Sequence, residues 1–199
     1  MAPTARSQAR KQSQHSEDTR ETSRTPDQVE ECATMYPAFV TAPVPLKILD
    51  ELIDEAKKGL CDTMGDDRGL PGESLCILDT EDLDSVTRGS RTPMQPFESP
   101  PFIGMTDDEV RSWVNEHRNP NFAECTFLVL DGDIAKNKTC RMGATDVVTE
   151  DSDKMITTDF YSSMSTMMPI EAVTLSWCEN EGFYLGTGKV LNREYLETH

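Results

Sequence analysis

Apolar side chains along this chain gather into a few patterned blocks separated by polar, proline-rich and glycine-rich stretches. The clearest block is 45–58, where Leu46, Leu49, Leu52, Ile53 and Ala56, then Leu60, recur at three and four while Lys47, Asp50, Glu51, Asp54, Glu55 and Lys57 fill the other positions. That spacing predicts an amphipathic helix docked by one face, with Pro45 in its first turn and Lys57, Lys58 and Gly59 as its ending. A second helix is predicted after the capping-box run Thr106, Asp107, Asp108 and Glu109. Its stripe is Val110, Trp113, Val114 and His117, and Asn119 with Pro120 stops it.

The strand signals are of three kinds. Ser74–Asp79 reads as a short buried strand, and the continuous run Cys125–Leu130 as a central strand covered on both faces. Ala172–Cys178 alternates apolar and polar residues as a half-buried strand does, and Thr139–Met142 and Met155–Tyr161 are weaker candidates. Tyr36, Pro37, Phe39, Val40 and Val44 read as an extended lead-in punctuated by Pro43 and Pro45, and a short helix is predicted near 191–196. These elements predict an α+β fold: one domain with a mixed or antiparallel sheet and two or three packed helices, rather than regular βαβ alternation.

Around the domain the polar stretches set the boundaries. Residues 1–35 hold almost no large apolar side chain and are expected to be a disordered tail, leaving 36–199 as the domain. Within it, 80–101 carries acids, Arg88, Gly89, Ser90, Arg91 and four prolines, and is expected to be a flexible insertion.

Charge narrows the class of partner. Thirty-six acidic against 19 basic side chains give a formal net charge of -17, which repels phosphate backbones and anionic membranes and favours a protein partner over nucleic acid. No apolar run approaches the ~20 residues a spanning helix needs, so no membrane association is expected. The six irregularly spaced cysteines read as thiols, and the opening residues have no apolar signal-type run; the expected location is intracellular, cytoplasmic or nuclear. Thr25, Thr92 and Ser99 each precede proline in polar stretches and are candidate phosphorylation sites.

The sharpest catalytic candidate is the run Phe127, Leu128, Val129, Leu130, Asp131, Gly132, Asp133, which resembles the first motif of the haloacid-dehalogenase superfamily. The resemblance implies Asp131 as nucleophile and Asp133 as proton shuttle, with magnesium between strand-end oxygens. The motif departs at Ala135, where that superfamily carries threonine. A calcium loop over the same residues fails at Ala135, Lys136 and Met142, and the phosphate-loop echo Gly186, Thr187, Gly188, Lys189 fails at Phe183 and Val190. Histidine occurs only at 15, 117 and 199, and His117 reads as a packed or capping residue rather than a base. Met155, Met164, Met167 and Met168 around Phe160 and Tyr161 form a candidate apolar docking surface.

The order of a helix, the strand ending at Asp131, the Ala172–Cys178 strand, Gly182 and the final Glu194, Tyr195, Leu196 resembles a family of small fungal and actinobacterial domains of unknown function. The resemblance implies a compact α+β unit, often standing alone, and carries over no site. The leading expectation is therefore a non-enzymatic protein-binding or regulatory domain, with no catalytic residue, cofactor or metal assigned, binding through Phe160, Tyr161, Met164, Met167 and Met168. The alternative is a magnesium-dependent carboxylate hydrolase or phosphatase using Asp131 and Asp133.

Overall fold

The strand that organises the molecule is β1 (Tyr36–Val40), every residue of which is buried. It lies between β2 (Leu75–Ile77) and β3 (Thr126–Leu130), parallel to both. The computed structural model describes residues 34–64, 74–97, 99–145, 155–171 and 189–194, so the predicted tail, but for its last two residues, and the predicted 172–178 strand lie outside the described residues. Beyond β3 the sheet turns antiparallel through β4 (Thr139–Ala144) and β5 (Ile156–Asp159), giving the order β2-β1-β3-β4-β5. The sheet is mixed and the fold α+β, as the pattern predicts.

Two details differ from expectation. The stretch expected as a lead-in is an interior strand: Tyr36, Ala38 and Val40 enter one core cluster, and Met35 and Phe39 enter the other. Prolines obscure this in the sequence, and Pro37 withholds one ladder donor, in keeping with a β3 register that begins at Ala38. The second difference is connectivity. The first half does alternate, since α1 (Leu46–Met64) joins β1 to parallel β2 and α2 (Asp107–Glu116) lies between β2 and β3, on the opposite face. Only β3 onward is antiparallel, through the single turn α3 (Ile134–Asn137), closed by Lys138 in the left-handed region at φ 56°.

α4 (Phe160–Glu171) packs beside α1 on the first face. The sequence pattern hides it because Phe160 to Met167 are all buried, and a helix covered all round shows no amphipathic stripe. Gly59, expected to end α1, lies inside it, and the helix continues to Met64. A Cβ at Gly59 would lie 1.8 Å from the Tyr161 carbonyl oxygen, so the glycine marks where α4 backbone touches α1.

Several described residues of the 80–101 stretch, expected as a flexible insertion, are bonded to α1 and β2. Thr92 Oγ1 donates to Asp54 Oδ1 at 3.1 Å, and the Met94 amide donates to Asp50 Oδ1 at 2.7 Å. Ser90 occupies the outer edge of β2, its amide donating to the Leu75 carbonyl and its Oγ accepting from the Ile77 amide. Leu191 does the same for β5, exchanging backbone bonds with Thr157 and Asp159. Both sheet edges are thereby occupied, which removes the usual template for strand addition. Among the described residues no helix is long and apolar enough to cross a membrane.

At the start of α2 the capping box forms as predicted: Thr106 Oγ1 accepts from the Glu109 amide, and the Glu109 carboxylate accepts from the Thr106 amide. The bonds that the Glu109 carboxylate accepts from the Thr106 amide and from the Thr106 hydroxyl hold its carboxyl below its ordinary value. Thr106→Ala should cost about 1 kcal/mol in urea unfolding. Because the Glu109 pKa is depressed, its contribution is present above the ordinary carboxylate range and is lost as pH falls through the folded value.

Candidate functional site

The two carboxylates singled out in the sequence end β3, but they are engaged differently. Asp131 Oδ1 accepts from the Asp133 amide at 2.9 Å, an Asx turn, and its Oδ2 lies 3.1 Å from Arg141 Nε. The latter contact is an ion pair without hydrogen-bond alignment, since Arg141 Nε has no hydrogen-bond partner. Arg141 reaches across to α2 and donates to Asp107 Oδ2 at 2.7 Å. Asp133 is exposed at the head of α3 with no capping bond from its side chain. Asp79 follows β2, two strand positions from β3 and so about 10 Å away across the sheet. Among the described residues no group of three or more His, Cys, Asp or Glu side chains is arranged to hold a metal ion.

Asp107 is the perturbed member of this network. Burial raises its carboxyl above the ordinary value against the opposing pull of Arg141 and Arg111, and Oδ1 is buried without a partner. A raised folded pKa means that the folded state holds the proton more tightly, so this group's contribution to stability falls as pH rises from 3.8 through the raised value. Asp107→Asn removes that slope. Urea melts across this range should therefore show the variant gaining on the native chain as pH increases.

Phe160, Met164 and Met167 are buried in the first core cluster, with Met168 partly buried against it, while Tyr161 is largely buried outside that cluster, its ring beneath Lys58 and Arg193. Tyr161 also donates its hydroxyl to Asp62 Oδ2 at 3.0 Å. In this structure Phe160, Met164 and Met167 of the predicted docking group belong to the core rather than to the surface. Cys140 is likewise enclosed, and burial pushes its thiol far up.

A concavity lies on the opposite face, where α2 covers only part of the sheet. Phe39, Phe102, Trp113 and Phe127 form an edge-to-face aromatic cluster there, with centroids 4.8 to 6.1 Å apart. Beside it opens a cleft of about 250 Å³ with Pro37, Phe39, Leu78, Leu83, Val114 and Phe122 among its walls. Trp113 and His117 stand on one lip, their rings stacked at 4.3 Å and 11°. His117 caps α2, and its Nδ1 lies 2.8 Å from the Trp113 carbonyl oxygen, which places the ring proton on Nδ1. The reading of His117 as a capping residue is what this geometry shows. Arg118 is folded back, donating to the Glu124 carbonyl at 2.8 Å and to Asn115 Oδ1 at 2.7 Å, and Asn119 ties the lip to Asp84 at 2.9 Å.

A wider, shallower groove of about 450 Å³ lies near the end of β1, lined by Pro43, Pro45, Pro96, Phe97, Pro100 and the exposed Ile103. Sequence reasoning placed neither concavity, because their walls come from stretches far apart in the chain. The cleft's one local signal was Trp113 and His117 four apart on α2.

No protein-family model matches the sequence, and no curated protein matches it either.

Proposed function

We propose that this chain is a non-enzymatic protein-binding domain whose recognition site is the cleft beside α2. The observation that carries the reading is the cleft itself: an apolar floor with a rigid aromatic lip, on a face that α2 leaves partly open. Its volume of about 250 Å³ is below the roughly 300–1,000 Å³ of sites that enclose drug-sized ligands or cofactors. It suits one apolar side chain of a partner, the buried anchor on which most protein interfaces depend. The carboxylates at 131 and 133 lend less support to catalysis, because Asp131 is held by an arginine and a turn amide.

The test uses the amide-capped amino acid N-acetyl-phenylalaninamide as the simplest anchor. Titrated into the full chain, it should shift the Trp113 indole and the Val114 and Leu83 methyl signals in NMR spectra, and Leu83→Arg should abolish those shifts while the rest of the spectrum is preserved. Shifts confined to other regions, or none at saturating probe, would remove the proposal.

A further inference from the structure

Four prolines fall between residues 92 and 101, and the exposure of the chain around them repeats every three positions. Met94, Phe97 and Pro100 are half-buried, whereas Pro93, Gln95, Pro96 and Ser99 are exposed. Met94 and Phe97 pack against the first core cluster, and Pro100 lines the groove near the end of β1. An α-helix would repeat at about 3.6 and a strand at about 2, and residues 92–97 belong to neither. Three residues per turn is the period of polyproline II, an extended helix without internal hydrogen bonds.

We infer that residues 93–97 form a polyproline II ridge that this chain offers as a ligand, with Pro93 and Pro96 entering the aromatic-lined groove of a partner domain. Prolines three apart lie on one edge of such a helix, and aromatic grooves of this kind read that Pro-x-x-Pro spacing. Of the three edges, the one carrying Met94 and Phe97 is taken up by this chain's own core, and the edges carrying Pro93, Pro96 and Gln95 face solvent. The start of the ridge is tied to α1, since Asp50 accepts from the Met94 amide at 2.7 Å and Asp54 from the Thr92 hydroxyl at 3.1 Å. The Pro93 carbonyl receives only a long contact, 3.5 Å, from the Gln95 side chain. A ridge held in this way loses less conformational freedom on binding than a free peptide does.

Prolines that merely stiffen a connection need no common edge, whereas these two share one and turn it outward. The ridge is also separate from the cleft. Met94 and Phe97 lie over the core on the α1 face of the sheet, while Phe39, Leu78, Val114 and Phe122 of the cleft belong to the core on the α2 face. A second copy of this chain is the less favoured partner, because each copy carries a net charge of -17 and the two repel.

The experiment titrates the isotope-labelled full chain with a panel of isolated SH3 domains, each first shown to bind a proline-rich control peptide. At least one domain should bind, shifting the Gln95 side-chain amide and the Phe97 backbone signals while the Trp113 indole and Leu83 methyl signals stay in place. Pro93→Ala and Pro96→Ala should each weaken binding about tenfold, the loss expected for removing one anchor of an interface. Pro43→Ala, at an exposed proline outside the ridge, should leave the affinity unchanged. All three variants should keep the native urea midpoint. Independently of any variant, excess control peptide should displace the native chain from the domain.

Failure of every domain in the panel to bind, at concentrations that saturate with the control peptide, would overturn the inference. Binding that survives both proline substitutions, or that the control peptide does not displace, would overturn it too. Shifts confined to Trp113 and Leu83 would place the contact at the cleft, removing the ridge as a ligand while leaving the cleft's assignment standing. Self-association of the chain alone, lost in Pro96→Ala, would make the occupant a second copy and equally contradict the proposal.

Discussion

Replacing Phe39 with alanine is expected to lower stability by about 3–5 kcal/mol, the usual range for emptying a buried aromatic site. Phe39 is fully buried at the centre of the second core, edge-on to Phe102 at 4.8 Å, to Trp113 at 5.6 Å and to Phe127 at 6.1 Å. Its loss leaves three aromatic rings without their common neighbour, and the sheet and α2 cannot close the gap without giving up their own contacts. Set against a typical stability of about 5–15 kcal/mol, the effect is large enough to shift a urea midpoint unmistakably. Phe39→Leu, which keeps most of the volume, should cost much less. Because Phe39 also lines the cleft, both variants should weaken anchor binding even where they remain folded. A loss below about 1 kcal/mol for the alanine variant would mean that this face is not packed as described.

Gly59→Ala is expected to be the second most damaging single change, although alanine is the better helix former by about 1 kcal/mol. The added methyl would sit 1.8 Å from the Tyr161 carbonyl oxygen, which is backbone and cannot rotate away. Relief requires α1 and α4 to separate, disturbing Leu60, Phe160 and Met164 in the same cluster. A net loss of about 2–3 kcal/mol follows from the upper part of the overpacking range. Gly132→Ala is the matched control: its methyl would meet only Ala42 Cβ at 3.7 Å, an ordinary contact, and stability should change by less than about 1 kcal/mol. Thermal melts that rank the two variants in the opposite order would contradict the α1–α4 contact.

These two residues also show where the sequence was legible and where it was not. Two elements announced themselves: α2, with one buried face and a capping box, was readable from Thr106 to His117, and β3, covered on both faces, from its unbroken apolar run. Gly59 was readable as a helix stop by local rules, and only the approach of α4 gives it a different role. α4 itself carries polar Ser162, Ser163, Ser165 and Thr166 into the interior, where the last three donate to carbonyls in the preceding turn, so hydropathy alone points the wrong way. β1 was disguised by Pro37, Pro43 and Pro45, and with it went the parallel half of the sheet.

The site was harder still to read, since a cleft depends on what fails to cover a face. Asp131 and Asp133 stood out because their spacing matched a known motif, yet the same spacing makes an Asx turn at the end of any strand. The methionines stood out by composition, and Met164 and Met167 lie in the interior. Trp113 and His117 were read as a core stripe; the structure leaves Trp113 half-buried and His117 exposed, which is what makes them a lip.

The most direct check is a structure of the full chain with N-acetyl-phenylalaninamide bound. The phenylalanine ring should lie against Phe39 and Leu83 beneath the Trp113–His117 stack. The probe found at the Pro43–Ile103 groove or around Asp131, with the α2 cleft empty, would contradict the account.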